Sequence, residues 1–505
     1  MCGIFVSNDP FLPKNAKSIL ENRLRFRGPD GTSGLVVRSE WSTYHSRLAI
    51  IELHSGANQP FVNDDGSQLI YNGEIVNFEH LGFRYFGKKY TSDVALLNDL
   101  IVGDKLKISE LDGFFAFIFI DGNGILRHAC RDRFGVKPLF YYETPRGHYS
   151  FSSEPSALIE LYDLSVNQDA ISEYRAFRYP LFSKSFYSGI LEVKPGTCLV
   201  AGRYFDLETS LANSSQSVDQ SELALALQRG VASRCVSDAP VGLLLSKGID
   251  SNLIKHQHKF DRFYTVGFPG DEDLQFLQGC GIKNLTTKIT CPDEFREAFY
   301  HLLKLKNEPM SVPNEVLLYL VGREAAADGV KVLLSGEGAD EFFAGYDRIF
   351  SWAAQASKFD IDTFTSLYCY SAVDRTSALY SRLENAFNEF ESDNVFQKVR
   401  WFFIKYHLPV LFRRLDFSLM AAGIEGREPI ANSHLFDVAI KLTAADLMRD
   451  SLGKLPLRLL AEQAMGKEFA FAKKVGFPVD LTQIFRNPKN LSSYDLWFEK
   501  NLEIL

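Results

Sequence analysis

The chain has 505 residues, more than one hydrophobic core usually serves, so two or more domains are expected. Its 46% hydrophobic and 23% charged residues are ordinary for a globular protein, and a net charge of −8 argues against general binding to nucleic acid or an anionic membrane surface. No apolar run approaches the roughly 20 residues needed to span a bilayer, and "GFFAFIFID" (113–121) is far too short.

The first seven residues carry neither a basic leader nor a long apolar core, so no signal peptide is expected. Seven cysteines, at 2, 130, 198, 235, 280, 291 and 369, are scattered without CxxC spacing. That pattern predicts no zinc or disulfide framework and fits a reducing cytoplasm.

The first 200 residues read as β-rich. Short β-branched and aromatic runs, such as "SQLIYNGEIVNF" and "PLFYYETPRGHYSFSS", alternate with turn signals at Asp121-Gly122-Asn123-Gly124 and Pro145-Arg146-Gly147. Helical patterns are sparse here, at about 14–24 and 91–103. A polar stretch, "ETSLANSSQSVDQSE" (208–222), then reads as a linker. The division expected is 1–207, a linker over 208–222, and 223–505. Beyond the linker a helix over 220–235 precedes strands at Val241–Leu245, Phe263–Phe268 and Val330–Gly338, with a helix at Val316–Asp328 before the last. Near-continuous apolar strands alternating with helices predict a parallel, doubly wound sheet. Residues 350–480 look mostly helical.

Loss of the initiator methionine would make Cys2 the first residue, with its own α-amino group, pKa about 8, beside the thiol as a built-in base. "RFRGPDG" (25–31), "HSRLAI" (45–50), "YNGEIVNF" (71–78) and Ser92-Asp93 follow in order. With "RDRFGVKPLFYY" and "FSSE", the set resembles the glutaminase domain of class II glutamine amidotransferases, an N-terminal-nucleophile αββα sandwich. The resemblance implies that the Cys2 thiolate attacks the glutamine side-chain amide, giving a thioester and ammonia. It places Asn72 and Gly73 as oxyanion donors, Arg47 on the glutamine carboxylate, and Glu74 and Asp93 on its ammonium.

In the second half, "LLSKGIDSN" (244–252) resembles the pyrophosphate loop of ATP pyrophosphatases, whose usual form is Ser-Gly-Gly-x-Asp-Ser. "VGFPG" (266–270), "SGEGADEFFAGY" (335–346), "LKNEP" (305–309), "RRLDFSLMAAGIEGREP" (413–429), "LGKLPLR" (452–458) and "KKVGFPV" (473–479) complete the pattern. The whole resembles the glutamine-dependent asparagine synthetase family. It implies ATP and Mg2+ as cofactors, small-molecule substrates, and a homodimer as the family's frequent state; the residues alone are silent on oligomerisation. Leu245, Ser246, Lys247, Gly248, Asp250, Ser251, Val266, Ser335 and Gly336 match ATP-contacting positions. Asp250 and Asp340 match metal-holding carboxylates, and Glu337 and Lys454 match residues beside an acyl-adenylate.

Lys247 replaces the first glycine of the loop. If that glycine needs positive φ, a side chain costs on the order of 1 kcal/mol or more, whereas a lysine beside a tetraanion adds attraction. Two readings stay open: a retuned, working ATP site, or a glutaminase whose second domain is degenerate. Ile430-Ala431-Asn432 stands where the family shows Phe-Leu-Asp, Asn252 where serine is common, and Pro155 interrupts a helix-starting stretch after Glu154. The segment between Asp250 and Thr265 is also short. These departures leave the acceptor open between aspartate and a specialised carboxylate, such as a sugar uronic acid.

Overall fold

The computed structural model describes residues 2–212, 218–472 and 479–505. Two six-stranded antiparallel sheets dominate the first 203 residues. One runs Ile190–Glu192, Phe140–Glu143, Tyr149–Ser152, Cys2–Ser7, Trp41–Arg47, Gly31–Arg38. The other runs Gly202–Arg203, Thr197–Cys198, Leu126–Arg131, Gly113–Ile120, Gln68–Ile75, Phe61–Val62.

Period-2 alternation explains how they stack. Cys2, Ile4 and Val6 join Ile70, Ala116, Ile118 and Ile120 between the sheets. Phe5 points the other way, into a cluster with Leu20, Leu24 and Leu158 under helices Ala16–Leu24 and Pro155–Tyr162. Phe115, Phe117 and Phe119 likewise turn outward, to a core shared with helices Phe78–Phe86 and Asp93–Val102. The result is the expected αββα sandwich.

Helices are commoner here than the sequence pattern predicts: Phe78–Phe86, Pro155–Tyr162 and Gln168–Phe177 were not expected. Pro155 does not interrupt a helix but opens one, at the first position, where its missing N–H costs nothing.

The polar stretch after the sandwich begins as a packed helix, Leu207–Ala212. Its Leu207 and Leu211 are buried, and Glu208 accepts from Trp401 Nε1 at 3.0 Å and Lys405 Nζ at 2.6 Å. Residues 213–217 of that stretch, and all but Val479 of "KKVGFPV", lie outside the described residues.

A five-stranded parallel sheet follows, in the order Leu285–Ile289, Phe263–Gly267, Val241–Leu244, Val332–Leu334, Glu425–Arg427. The strand order reverses between Val241–Leu244 and Val332–Leu334, so a crevice opens beyond their carboxyl ends. Two of these strands escape the sequence pattern. Leu285–Ile289 is a partly exposed edge with polar alternation, and Glu425–Arg427 is three buried residues, two of them charged.

The two halves meet across buried charge. Arg27 donates to Glu154 at 2.5 Å and to Asp416 at 2.7 Å, all three side chains being essentially inaccessible. Arg413 also pairs with Glu154, and Lys137 lies 3.5 Å from Asp416. Three cations thus share two carboxylates in a dry interface. Removing one anion leaves its partners charged and unpaired, which costs about 3–5 kcal/mol. Asp416→Ala is therefore expected to lower the urea-unfolding free energy by about that amount, a far larger loss than that of exposed Asp374→Ala.

Candidate active sites

The first site forms where the strand Cys2–Ser7 begins. Cys2 is buried; its N–H donates to Asn72 Oδ1 at 2.9 Å, and its carbonyl accepts from Arg27 Nε at 3.2 Å. Burial pushes its thiol up, while a hydrogen bond from the Leu48 amide and the charge of Arg47 pull the other way. The resting thiol is thus protonated and needs a base.

Asn72 and Glu74 share the inward face of the strand Gln68–Ile75 by alternation with Ile70. Asn72 spends its oxygen on Cys2, and its Nδ2 is buried without a hydrogen-bond partner among the described residues. A buried, unspent amide donor beside a thiol is what an oxyanion requires. Gly73, at φ +144°, sits so close to the next strand that a Cβ would come 2.1 Å from the Phe114 carbonyl oxygen, so no side chain fits.

Arg47 lies directly opposite Cys2 in the sheet. Its guanidinium gathers the loop that follows, donating to the carbonyls of His54 and Glu52 and to Asn58 Oδ1 at 2.9 Å. Glu74 and Asp93 are both buried. Burial, the charge of Asp93 and that of Glu425 push Glu74 well above the usual carboxylate range, and burial also raises Asp93. Asp93 is held by Tyr71 OH at 2.8 Å and the Ile75 amide at 3.1 Å. Crowded, buried acids of this kind favour an arriving cation.

The second site occupies the crevice at the reversal of strand order. A 280 Å³ cavity there is lined by Leu245, Ser246, Gly248, Asp250, Ser251, Val266, Ser335, Gly336, Glu337 and Asp340. Every expected residue except Lys247 and Lys454 is on that wall. Helix Ile249–Gln257 starts at the loop, so its amide end faces the cavity. The loop is tied to itself: Ser246 Oγ accepts from the Gly248 amide at 3.1 Å, and Asn252 Nδ2 donates to the carbonyls of Ser246 and Gly248, both at 2.9 Å. Asn252 is therefore a clamp.

Lys454 bridges Asp250 at 2.7 Å and Asp340 at 2.9 Å while itself buried. Gly345 makes room for that pair, since a Cβ there would lie 2.0 Å from Asp340 Oδ1 and 2.3 Å from Lys454 Cε. Asp250 Oδ1 is buried without a hydrogen-bond partner among the described residues. Two carboxylates, one with an unspent buried oxygen, are the hard donors a divalent cation such as Mg2+ takes.

Lys247 is placed otherwise. Its backbone is not left-handed, so the lost glycine carries no φ penalty. Its ammonium lies 3.7 Å from Glu272 and 5.9 Å from the centre of the Phe276 ring, on the helix Glu272–Gly279. Neither strain nor phosphate attraction, the two effects weighed from sequence, applies to this conformation.

Asn432 is also a structural change. It is fully buried, caps helix Ser433–Ala439 through the Leu435 amide at 3.0 Å, and abuts Gly230. A charged carboxylate there would be desolvated, so the amide keeps the cap without that penalty.

Some wall residues escape sequence reasoning. Asn314, Leu317 and Leu318 line the cavity from helix Asn314–Ala327, and Asp273 from Glu272–Gly279. Behind Asp340, the Glu341 carboxyl is pushed up to about 8 by burial and by the Asp340 charge. Tyr346 OH donates to it and contacts His407 Nε2 at 3.0 Å. His407 closes a π-helical turn, Phe403–His407, and the only hint in the sequence was "FFAGY".

Comparison with known proteins decides the family. A family model described as asparagine synthase matches residues 222–501, more than half the chain, and a glutamine amidotransferase domain matches 1–207. The chain belongs to the asparagine synthase family. It is an enzyme of that family's glutamine-hydrolysing ligase type. Asparagine synthetase [glutamine-hydrolyzing] 1 of Bacillus subtilis is 25% identical over 92% of this chain and 84% of its own length. Asparagine synthetase B of Escherichia coli is 26% identical over 92% and 78%, and a probable asparagine synthetase of Schizosaccharomyces pombe 30% over 68% and 66%.

Two outcomes follow for a member of the asparagine synthase family with these sites. Asn72→Ala should lower glutamine hydrolysis by about 10²–10³-fold in kcat, the effect of deleting one oxyanion donor. Lys247→Gly should change the KM for ATP by less than about threefold, because the ammonium contacts Glu272 and lies outside the cavity wall. Steady-state kinetics with each substrate checks both.

Proposed function

We propose that the chain hydrolyses glutamine at Cys2 and uses the ammonia to amidate a carboxylate that it first activates with ATP. The observation that carries this reading is the crevice at the strand-order reversal. There, one helix amide end and two carboxylates face a single cavity, and a buried lysine bridges the two carboxylates from outside its wall.

At the first site, Arg47 would hold the glutamine carboxylate, and Glu74 and Asp93 its ammonium. The Cys2 amine would take the thiol proton, and the sulfur would attack the side-chain amide. Asn72 Nδ2 and the Gly73 amide would hold the oxyanion until ammonia leaves with the proton from the amine; water would then attack the thioester, releasing glutamate and returning the proton to the Cys2 sulfur. At the second site, the amides following Ser246 and the Ser251 hydroxyl would cradle phosphate, with Leu317, Leu318 and Val266 as an apolar wall for the base. Asp250 and Asp340 would hold Mg2+, which when bound neutralises the pyrophosphate. Lys454, already between those carboxylates, would turn to the phosphate oxygens as negative charge develops. A carboxylate oxygen of the acceptor attacks the α-phosphorus and pyrophosphate leaves. Ammonia then attacks the acyl carbon and AMP leaves.

The strand Glu425–Arg427 relates the two sites: the Arg427 carbonyl accepts from the Ser335 amide at 2.9 Å on one side, and the charge of Glu425 acts on Glu74 on the other. Ammonia moving from one site to the other would pass this strand.

Aspartate and a specialised carboxylate, such as a uronic acid, both remain acceptors to be tried. The degenerate-domain reading needs a damaged loop, and Lys247 neither strains the backbone nor fills the cavity. Purified enzyme with ATP, Mg2+ and glutamine is expected to release pyrophosphate and AMP in step with amide for one acid of a panel containing aspartate and uronic acids. Glutamine hydrolysis indifferent to ATP and to every acid, in wild type and in Lys247→Gly alike, would sink the proposal.

A further inference from the structure

Outside both sites, the second sheet carries a side-chain cluster that neither reaction uses. His128 and Cys130 stand two apart on the strand Leu126–Arg131, hence on one face, and Cys198 lies directly opposite Cys130 on Thr197–Cys198. The three ligand-capable atoms lie within 4.8 Å of one another. His128 Nδ1 and Cys198 Sγ are 3.8 Å apart. A tetrahedral zinc ion, with Zn–S about 2.3 Å and Zn–N about 2.0–2.1 Å, sets a nitrogen and a sulfur about 3.6 Å apart and two sulfurs about 3.8 Å apart. Only small side-chain shifts separate the cluster from that geometry.

Its surroundings suit a metal as well. Both sulfurs are fully buried, and the amides of Ala201 and Ala129 direct hydrogen bonds at the Cys198 sulfur, the contact a bound thiolate needs from its outer shell. The His128 ring lies against Phe117 and Phe119, with centroids 6.1 and 6.3 Å away, which fixes its orientation. One face of the group is half-exposed, at His128, so an ion has a way in. Two thiols and an imidazole are soft to borderline donors, which select zinc over magnesium or calcium.

We propose that His128, Cys130 and Cys198 form a zinc site, with water in the fourth position. It would act as a structural staple. Thr197–Cys198 and Gly202–Arg203 are two residues each, at the edge of the sheet, and Leu126–Arg131 leads toward Lys137 of the domain interface. The ion would fix that edge where the sandwich ends. Binding requires both thiols to lose their protons, which pass to solvent.

The test uses the full chain, purified under reductant, equilibrated with zinc and freed of excess. Elemental analysis should find about one zinc per chain, and cobalt in its place should give the charge-transfer and d–d absorption of tetrahedral sulfur coordination. Both signals should disappear in Cys198→Ser and Cys130→Ser and fall sharply in His128→Asn. They should persist in Cys280→Ser/Cys291→Ser, which removes exposed thiols. Zinc should raise the melting temperature of wild type and not of Cys198→Ser. Retained glutamine hydrolysis reports that a variant is folded; if the cysteine variants fail to fold, His128→Asn carries the test. The proposal is overturned by zinc well below one per chain in wild type, by zinc that survives His128→Asn and Cys198→Ser, or by a Cys130–Cys198 disulfide in the protein as purified.

Discussion

The guanidinium of Arg27 is the constraint around which both halves are arranged. It binds the Cys2 carbonyl, the Glu154 carboxylate at the start of a helix and the Asp416 carboxylate of the other half, all without access to water. Gly28 lets this turn approach the strand Trp41–Arg47, where a Cβ would come 2.2 Å from the Ser46 carbonyl carbon. A buried network of this kind contributes less to net stability than an apolar interface of equal volume. What it supplies is a single docking geometry, since any shift between the halves strands a charge. The strand Cys2–Ser7 and the helix Leu408–Met420 therefore cannot move independently.

That fixed geometry matters because the second site is also assembled from distant pieces. Asp250, Asp340 and Lys454 come from three segments, and the glycines at 336 and 345 allow them to meet, a Cβ at Gly336 lying 2.8 Å from Asp250 Cβ. The strand Glu425–Arg427 closes the sheet beside this loop and faces the acids of the first site. Arg427 also donates to the carbonyls of Arg234 and Val236, so the helix leading into the sheet is anchored at the same place.

The sequence exposed most of what is local. Cys2 and the loops after Val241–Leu244 and Val332–Leu334 lie at strand ends, and Asn72-Gly73 within one strand; each is a short contiguous motif, so its pattern survives in one dimension. Elements defined by long-range pairing were hidden. Glu425–Arg427 has no apolar run to signal a strand, because its environment is polar and its partners come from elsewhere. His128 and Cys198 are 70 residues apart and meet only because two strands pair, so a search for local ligand spacing finds nothing. Pro155 and Asn432 were legible as departures from the family's pattern but not in their structural part. One opens a helix and the other caps one, and backbone position decides that part.

Lys247 illustrates the same point at the loop that matters most. In sequence, the substitution sets a steric penalty against an electrostatic gain, and nothing in the residue order says which is larger. The backbone removes the first, because the position is not left-handed. The helix Glu272–Gly279 removes the second, because Glu272 and Phe276 offer the ammonium a carboxylate and an aromatic face away from the cavity. Glu272 is largely exposed, so this ion pair is weak and its loss costs the loop little. The loop keeps its shape without it, because Ser246, Ser251 and Asn252 hold it and Lys247 contributes none of those hydrogen bonds.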